Sequence, residues 1–275
     1  MALIMNDAER DAVDHLDRLN GINELRAAVL ALLLPAGSKR AVRAWRAEVA
    51  GYSRAVEVRD WVLALSPANR LPWFEVLVSR WRNHPPDQRE ALLESTRRVM
   101  GARGVMRPID RLHWLAMRLR MGDSSAAATR AAATADLSQL PQREVSTLAS
   151  YCAFLARMVP SEPAELEATA PTDAGLAWYD TVMQPWAKRA EIPPCEPPDT
   201  DKLVYALQEL QAMPWMQRPA LVRGWVAGAV EHSKYGRLND TAADALRLTC
   251  SLLDSPLPPE LERHYGAAAP KDTMA

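Results

Sequence analysis

The sequence predicts an all-α protein made of stacked helical hairpins. Three observations carry that expectation. Apolar residues recur at three- and four-residue spacing through most of the chain, glycine is scarce at 11 of 275 residues, and Ala, Leu, Arg and Glu are abundant. Straight side chains lose little rotamer freedom in a helix, so this composition favours helices over strands. A chain of this length buries roughly three-quarters of its unfolded surface, which is core enough to stand without a disulfide or metal staple.

Each element has its own local cause. Residues 6–34 carry Ala8, Val13, Leu16 and Leu19, then Leu25, Ala28, Val29 and Leu32, and Asn20-Gly21 divides them into two helices. Ser38 is a cap for a helix through Val42, Trp45, Val49 and Tyr52, and Ser53 to Leu65 forms another. Asn69 to Trp81 is a helix with Pro72 in its first turn. From Pro85 to Asp123 the stripes Leu92, Val99, Met100 and Ile109, Leu112, Leu119 flank a turn at Gly104, with Pro108 opening the second helix of a hairpin. The Ala-rich stretch Ser124 to Ala135 is expected to be partly ordered helix.

Leu140 to Val159 is bounded by Pro141 and Pro160 and has Glu144 in its first turn, a strong helix signature. The segment 160–198 is rich in proline and acid, and within it only LAWYDTVMQPW (176–186) has helical character. Thr200 to Met213 restores helical order. Arg218 to His232 and Asp240 to Leu253 then make a second hairpin around Tyr235-Gly236. Residues 1–135 and 136–255 are expected as two helical subdomains, the second containing the acidic Pro-rich segment, with 256–275 a tail poorly ordered at its end. LPWF (71–74) and MPWM (213–216) precede the two hairpins, so the halves could be divergent copies of one unit.

Composition also excludes classes of function. A net charge of -1 argues against a globally basic nucleic-acid binder. Cys152, Cys195 and Cys250 are odd in number and contain no Cys-x-x-Cys pair, which fits a reducing, cytoplasmic setting. The acidic N-terminus is unlike a signal peptide, and the longest apolar run, Ala27 to Leu34, is too short to span a bilayer, so a membrane contact is expected to be peripheral at most, at the cytoplasmic face.

No His-Glu-x-x-His, phosphate-binding Gly-rich loop, Gly-x-Ser-x-Gly or Gly-x-Gly-x-x-Gly occurs, and the five histidines are scattered, so neither cofactor nor metal is expected. An enzyme would require His113 or His232 to meet carboxylates in a pocket. Most of the nine tryptophans fall on apolar stripes, as core residues do. Trp178 and Trp186, with Tyr179, are the exceptions: in the Pro-rich segment they are expected to be exposed and to anchor a protein partner. Charge is uneven as well. Arg97, Arg98, Arg103, Arg107, Arg111, Arg118 and Arg120 face one acid, Asp110, in their stretch, whereas 162–201 holds nine acids against Lys188 and Arg189. Either the two stretches pair within the fold, or the Arg97 to Arg120 face meets phosphate on nucleic acid or lipid.

The words ALLL (31–34), SPANRLPWFEVLVSRW (66–81), QREALLESTRRVM (88–100) and RPIDRLHWLAMR (107–118) resemble the helical C-terminal extension of bacterial HtpX-like membrane zinc metallopeptidases. That extension's helix, Gly turn and helix units are in turn similar to TerB-like helical domains. The zinc motif and transmembrane helices of that family are missing here, so no catalytic or metal residue carries over. The resemblance implies a regulatory or protein-interaction domain accessory to such a peptidase, with an anion-binding module as the alternative.

Overall fold

A computed structural model describes residues 5–35, 37–122, 136–160 and 170–265. Ser124 to Ala135, the acids Glu162 and Glu165, and the tail beyond 265 lie outside the described residues. Thirteen α-helices and no strand are present among those described, so the fold is all-α.

The described residues form two compact units. The first takes those within Met1–Met106, His113–Asp123 and Arg263–Ala275, and the second those within Arg107–Leu112 and Ser124–Glu262. Boundaries between the units fall inside the helices Pro108–Met121 and Pro259–Tyr265.

The first unit contains α1 (Asp7–Asp17), α2 (Ile22–Leu32), α3 (Lys39–Glu48), α4 (Ala55–Ala64), α5 (Pro67–Trp81) and α6 (Pro86–Gly101). Its centre is α2, which packs against α3, α4, α5 and α6. Leu25 and the run Ala27 to Ala31 are all buried, so the C-terminal half of α2 is enclosed on most sides while Asn23 near its start is exposed. Only an apolar run can occupy such a position, and Ala27 to Leu34 is the longest in the chain. Trp45 of α3 donates its indole N–H to the Ala27 carbonyl at 3.1 Å, a polar pin inside that contact.

One local cause differs from expectation. Helix α5 starts at Pro67, so Pro72 lies in its interior and not in its first turn. The start is fixed from outside: the buried carboxylate of Glu9 accepts from the Ser66 backbone N–H at 2.7 Å and from the Asn69 side-chain amide at 2.8 Å. These bonds hold the Glu9 pKa below its usual value even though burial opposes them. Helix α6 packs on α3 and α2, and Arg89 in its first turn donates to the Met121 carbonyl at the end of α7 (Pro108–Met121).

The second unit is centred on α8 (Gln142–Leu155), which packs on α9 (Asp173–Met183) and α10 (Thr200–Ala212). Helix α11 (Gln217–Glu231) packs on α9 and on α12 (Asp240–Leu252). Tyr151 and Thr249 share a hydrogen bond of 3.0 Å between α8 and α12. Close approach is set by glycine: a Cβ on Gly175 would lie 2.1 Å from the Ala156 carbonyl oxygen, and one on Gly228 would lie 3.1 Å from Val182. Pro259–Tyr265 forms α13, in which Leu261 and Tyr265 are buried; the chain end expected to be poorly ordered lies outside the described residues.

Both predicted glycine turns form, with φ of 97° at Gly104 and 64° at Gly236. The echo between the halves does not extend to packing. Trp73 is buried whereas its counterpart Trp215 is 70% exposed.

Candidate functional site

The first unit bears a groove of about 610 Å³ between the C-terminal end of α2 and helices α3, α4 and α5. Its geometry follows from local sequence. Ser38 caps α3 by accepting from the Ala41 N–H at 3.2 Å, and this fixes the rotation of the helix. Ala41 and Trp45 then point into the core, which leaves Lys39, Arg43 and Arg46 exposed along the groove side. These three lie at i, i+4 and i+7, one stripe of a helix, so their Cα atoms span about 10 Å at the usual rise. Helix α4 buries Val58 and contributes Arg59 and Leu63, one turn apart; α5 contributes Arg70.

The lining therefore combines five cations with an apolar floor that includes Ala31, Leu34, Val42 and Val62, and no Asp or Glu lines it. The C-terminal end of α2 and the N-terminal end of α3 both meet the groove, so their opposed end dipoles largely offset and the side-chain charges set its sign.

What distinguishes these cations is their lack of acidic partners. Elsewhere in the unit Arg26 and Arg98 bind Glu48, Arg80 binds Asp17 and Arg54 binds Glu57. Lys39, Arg43, Arg46, Arg59 and Arg70 form no ion pair among the described residues. Arg59 sits 6.0 Å above the ring of Trp45, and the Nε atoms of both Arg59 and Arg70 are buried without a hydrogen-bond acceptor. A buried donor left unsatisfied costs about 1–3 kcal/mol.

The stretch singled out in the sequence is mostly occupied within the fold. Arg98 makes a two-pronged contact with Glu48, Arg97 lies 3.7 Å from Glu94, Arg107 binds the buried Asp110 at 2.7 Å, and Arg120 reaches Glu75. These acids lie outside 162–201, so this pairing is more local than a meeting of the two oppositely charged stretches. Glu48 is a hub. Arg98, helped by Ser95 and Arg26, lowers its pKa to about 2 against the opposing effect of burial. Arg103 and Arg111 are half-buried, and neither lines the groove.

The expected aromatic anchor is overturned. Trp178 is 0% exposed, Tyr179 2% and Trp186 5%. Each spends its polar atom inside the protein: Trp178 donates to the Trp225 carbonyl at 3.0 Å, Tyr179 to the Pro193 carbonyl and Trp186 to the Leu137 carbonyl, both at 2.6 Å. The cause is the Pro-rich segment itself, whose backbone lacks ladder partners and is tied down instead by these rings. The two histidines each lie against a different neighbour. His113 stacks edge-on against Phe74, and His232 Nε2 lies 2.7 Å from the Thr181 hydroxyl. Among the described residues no three His, Cys, Asp or Glu side chains gather to hold a metal ion, and no helix is long and apolar enough to cross a membrane.

The stripe Lys39, Arg43, Arg46 was visible in the sequence as an i, i+4, i+7 pattern; Arg59 and Arg70 join it only through the packing of α4 and α5. Comparison with family models, with characterised proteins and with solved structures finds no match to this chain.

Proposed function

We propose that this chain is a non-catalytic helical interaction module and that it binds an anionic partner in the groove of the first unit. The observation that carries the proposal is the set of five acid-free cations over an apolar floor, in a unit where Arg26, Arg54, Arg80 and Arg98 each pair with an acid. Desolvated guanidinium groups recruit oxyanions more strongly than exposed ones, because the local dielectric is lower and less hydration is lost on binding. The groove also lies in the size range of sites that hold drug-sized ligands or short chain segments. The resemblance to the helical extension of HtpX-like peptidases is a second, independent support, and it makes a regulatory role beside a membrane peptidase one setting for such a module.

Fluorescence anisotropy with labelled polyglutamate tests the proposal. Binding is expected at low salt, falling steeply as salt is added. The double charge reversal R43E/R46E changes only exposed positions and should abolish the signal while leaving the helical circular-dichroism spectrum intact. Equal binding by wild type and variant refutes the groove as the contact.

A further inference from the structure

The shape of the groove narrows its occupant, on the premise that it is an anion site as proposed above. Three cations stand in a row along α3, one helical turn apart, and two more close the groove from α4 and α5. The row spans about 10 Å along α3, longer than one phosphate or carboxylate, so a single small anion leaves part of it unused. A bilayer surface presents many phosphates but is not concave-complementary: the two cations with buried Nε atoms, Arg59 and Arg70, are half-buried and not on a projecting face. A repeating acid on a chain meets both conditions.

The floor adds a second requirement. Leu34, Val42 and Val62 lie beneath the cations, and Leu63 stands exposed at the edge at 51%. An occupant made only of acids would leave this apolar surface wet, whereas one that alternates acids with aliphatic side chains covers it. Burial of one leucine side chain contributes roughly 1.5–3 kcal/mol, about ten- to a hundredfold in affinity. We infer that the groove binds an acidic, leucine-bearing segment of a partner protein, with carboxylates at one-turn spacing on the α3 row and Arg59/Arg70, and an aliphatic side chain on the Val62/Leu63 floor.

Anisotropy titrations with a labelled peptide of glutamates and leucines one helical turn apart test this, run beside polyglutamate, its all-lysine counterpart, inorganic phosphate as competitor, and vesicles containing phosphatidylserine. The glutamate-leucine peptide should bind at least about tenfold more tightly than polyglutamate. Leu63→Ser should remove most of that advantage, because it strips the edge of the floor at an exposed position. R59Q/R70Q should weaken the peptide by about tenfold or more with the far-ultraviolet spectrum unchanged, and R43E/R46E provides the same test at fully exposed sites. If polyglutamate, phosphate or vesicles bind as tightly as the glutamate-leucine peptide, the inference fails while the anion groove stands. If no acidic probe binds in a manner sensitive to R43E/R46E, both fail.

Discussion

Replacing Gly175 by alanine sets two effects of opposite sign against each other. Gly175 is the third residue of α9, where alanine is favoured over glycine by no more than the mid-helix value of about 0.5–1 kcal/mol, so on propensity alone the change mildly stabilises the helix. The structure reverses this, because the added Cβ would lie 2.1 Å from the Ala156 carbonyl oxygen, a main-chain atom that cannot rotate away. Ordinary contact requires α9 to retreat from α8 by about 1 Å, and overpacking of this kind costs about 1–3 kcal/mol. The retreat also strains the 3.0 Å bond from Trp178 to the Trp225 carbonyl, a further loss of about 1 kcal/mol. The expected net destabilisation is about 2–3 kcal/mol, read as a lower urea midpoint by circular dichroism and tryptophan fluorescence. Two companions calibrate it. Gly224 has nothing within 4 Å of its added Cβ, so Gly224→Ala should stabilise by about 0.5–1 kcal/mol. Gly228→Ala meets the movable Val182 side chain at 3.1 Å and should fall between them. A Gly175→Ala protein as stable as wild type would refute the helix contact on which the second unit is built.

Other consequences concern titration and reactivity. Glu48, with its pKa lowered to about 2 from 4.5, contributes stability that is complete above the ordinary carboxylate range and is lost as pH falls through about 2. Glu48→Gln should therefore lower stability by about 1–2 kcal/mol at neutral pH, less than a fully buried pair because Arg98 is half-exposed, and the difference from wild type should shrink in urea titrations toward pH 2. A constant difference across that range argues against the ion-paired hub. Burial pushes the Cys152 thiol well up and that of Cys195 to about 11, and Cys250 is buried too. A thiol reagent at mildly alkaline pH should thus react far more slowly with the native protein than with the urea-unfolded chain. A thiol that reacts at the free-cysteine rate would contradict this packing.

Helix positions were legible wherever the cause was local. Thr200–Ala212, Asp240–Leu252 and the Ser38 cap lie where periodicity and capping put them. The start of α5 was not, since its cap comes from Glu9, far back in the chain. The core role of most tryptophans was legible from their stripes, and Trp45, Trp73, Trp81 and Trp225 are buried accordingly. Trp178, Tyr179 and Trp186 misled because proline and acid around them signal solvent, while their hydrogen bonds to distant carbonyls carry no sequence trace. For the site, clustered arginine in the sequence was a poor guide to unpaired arginine in space. Arg98 and Arg107 meet Glu48 and Asp110, whereas Arg59 and Arg70, isolated in the chain, meet in the groove.

The contact from Glu9 to the beginning of α5 also has a meaning for synthesis. The carboxylate leaves the ribosome well before Ser66 does, so the acceptor for that helix start is already waiting when the donors emerge. Loss of a short N-terminal stretch would accordingly be felt some sixty residues downstream, as fraying at Ser66 to Asn69, before any change at the new chain end becomes visible.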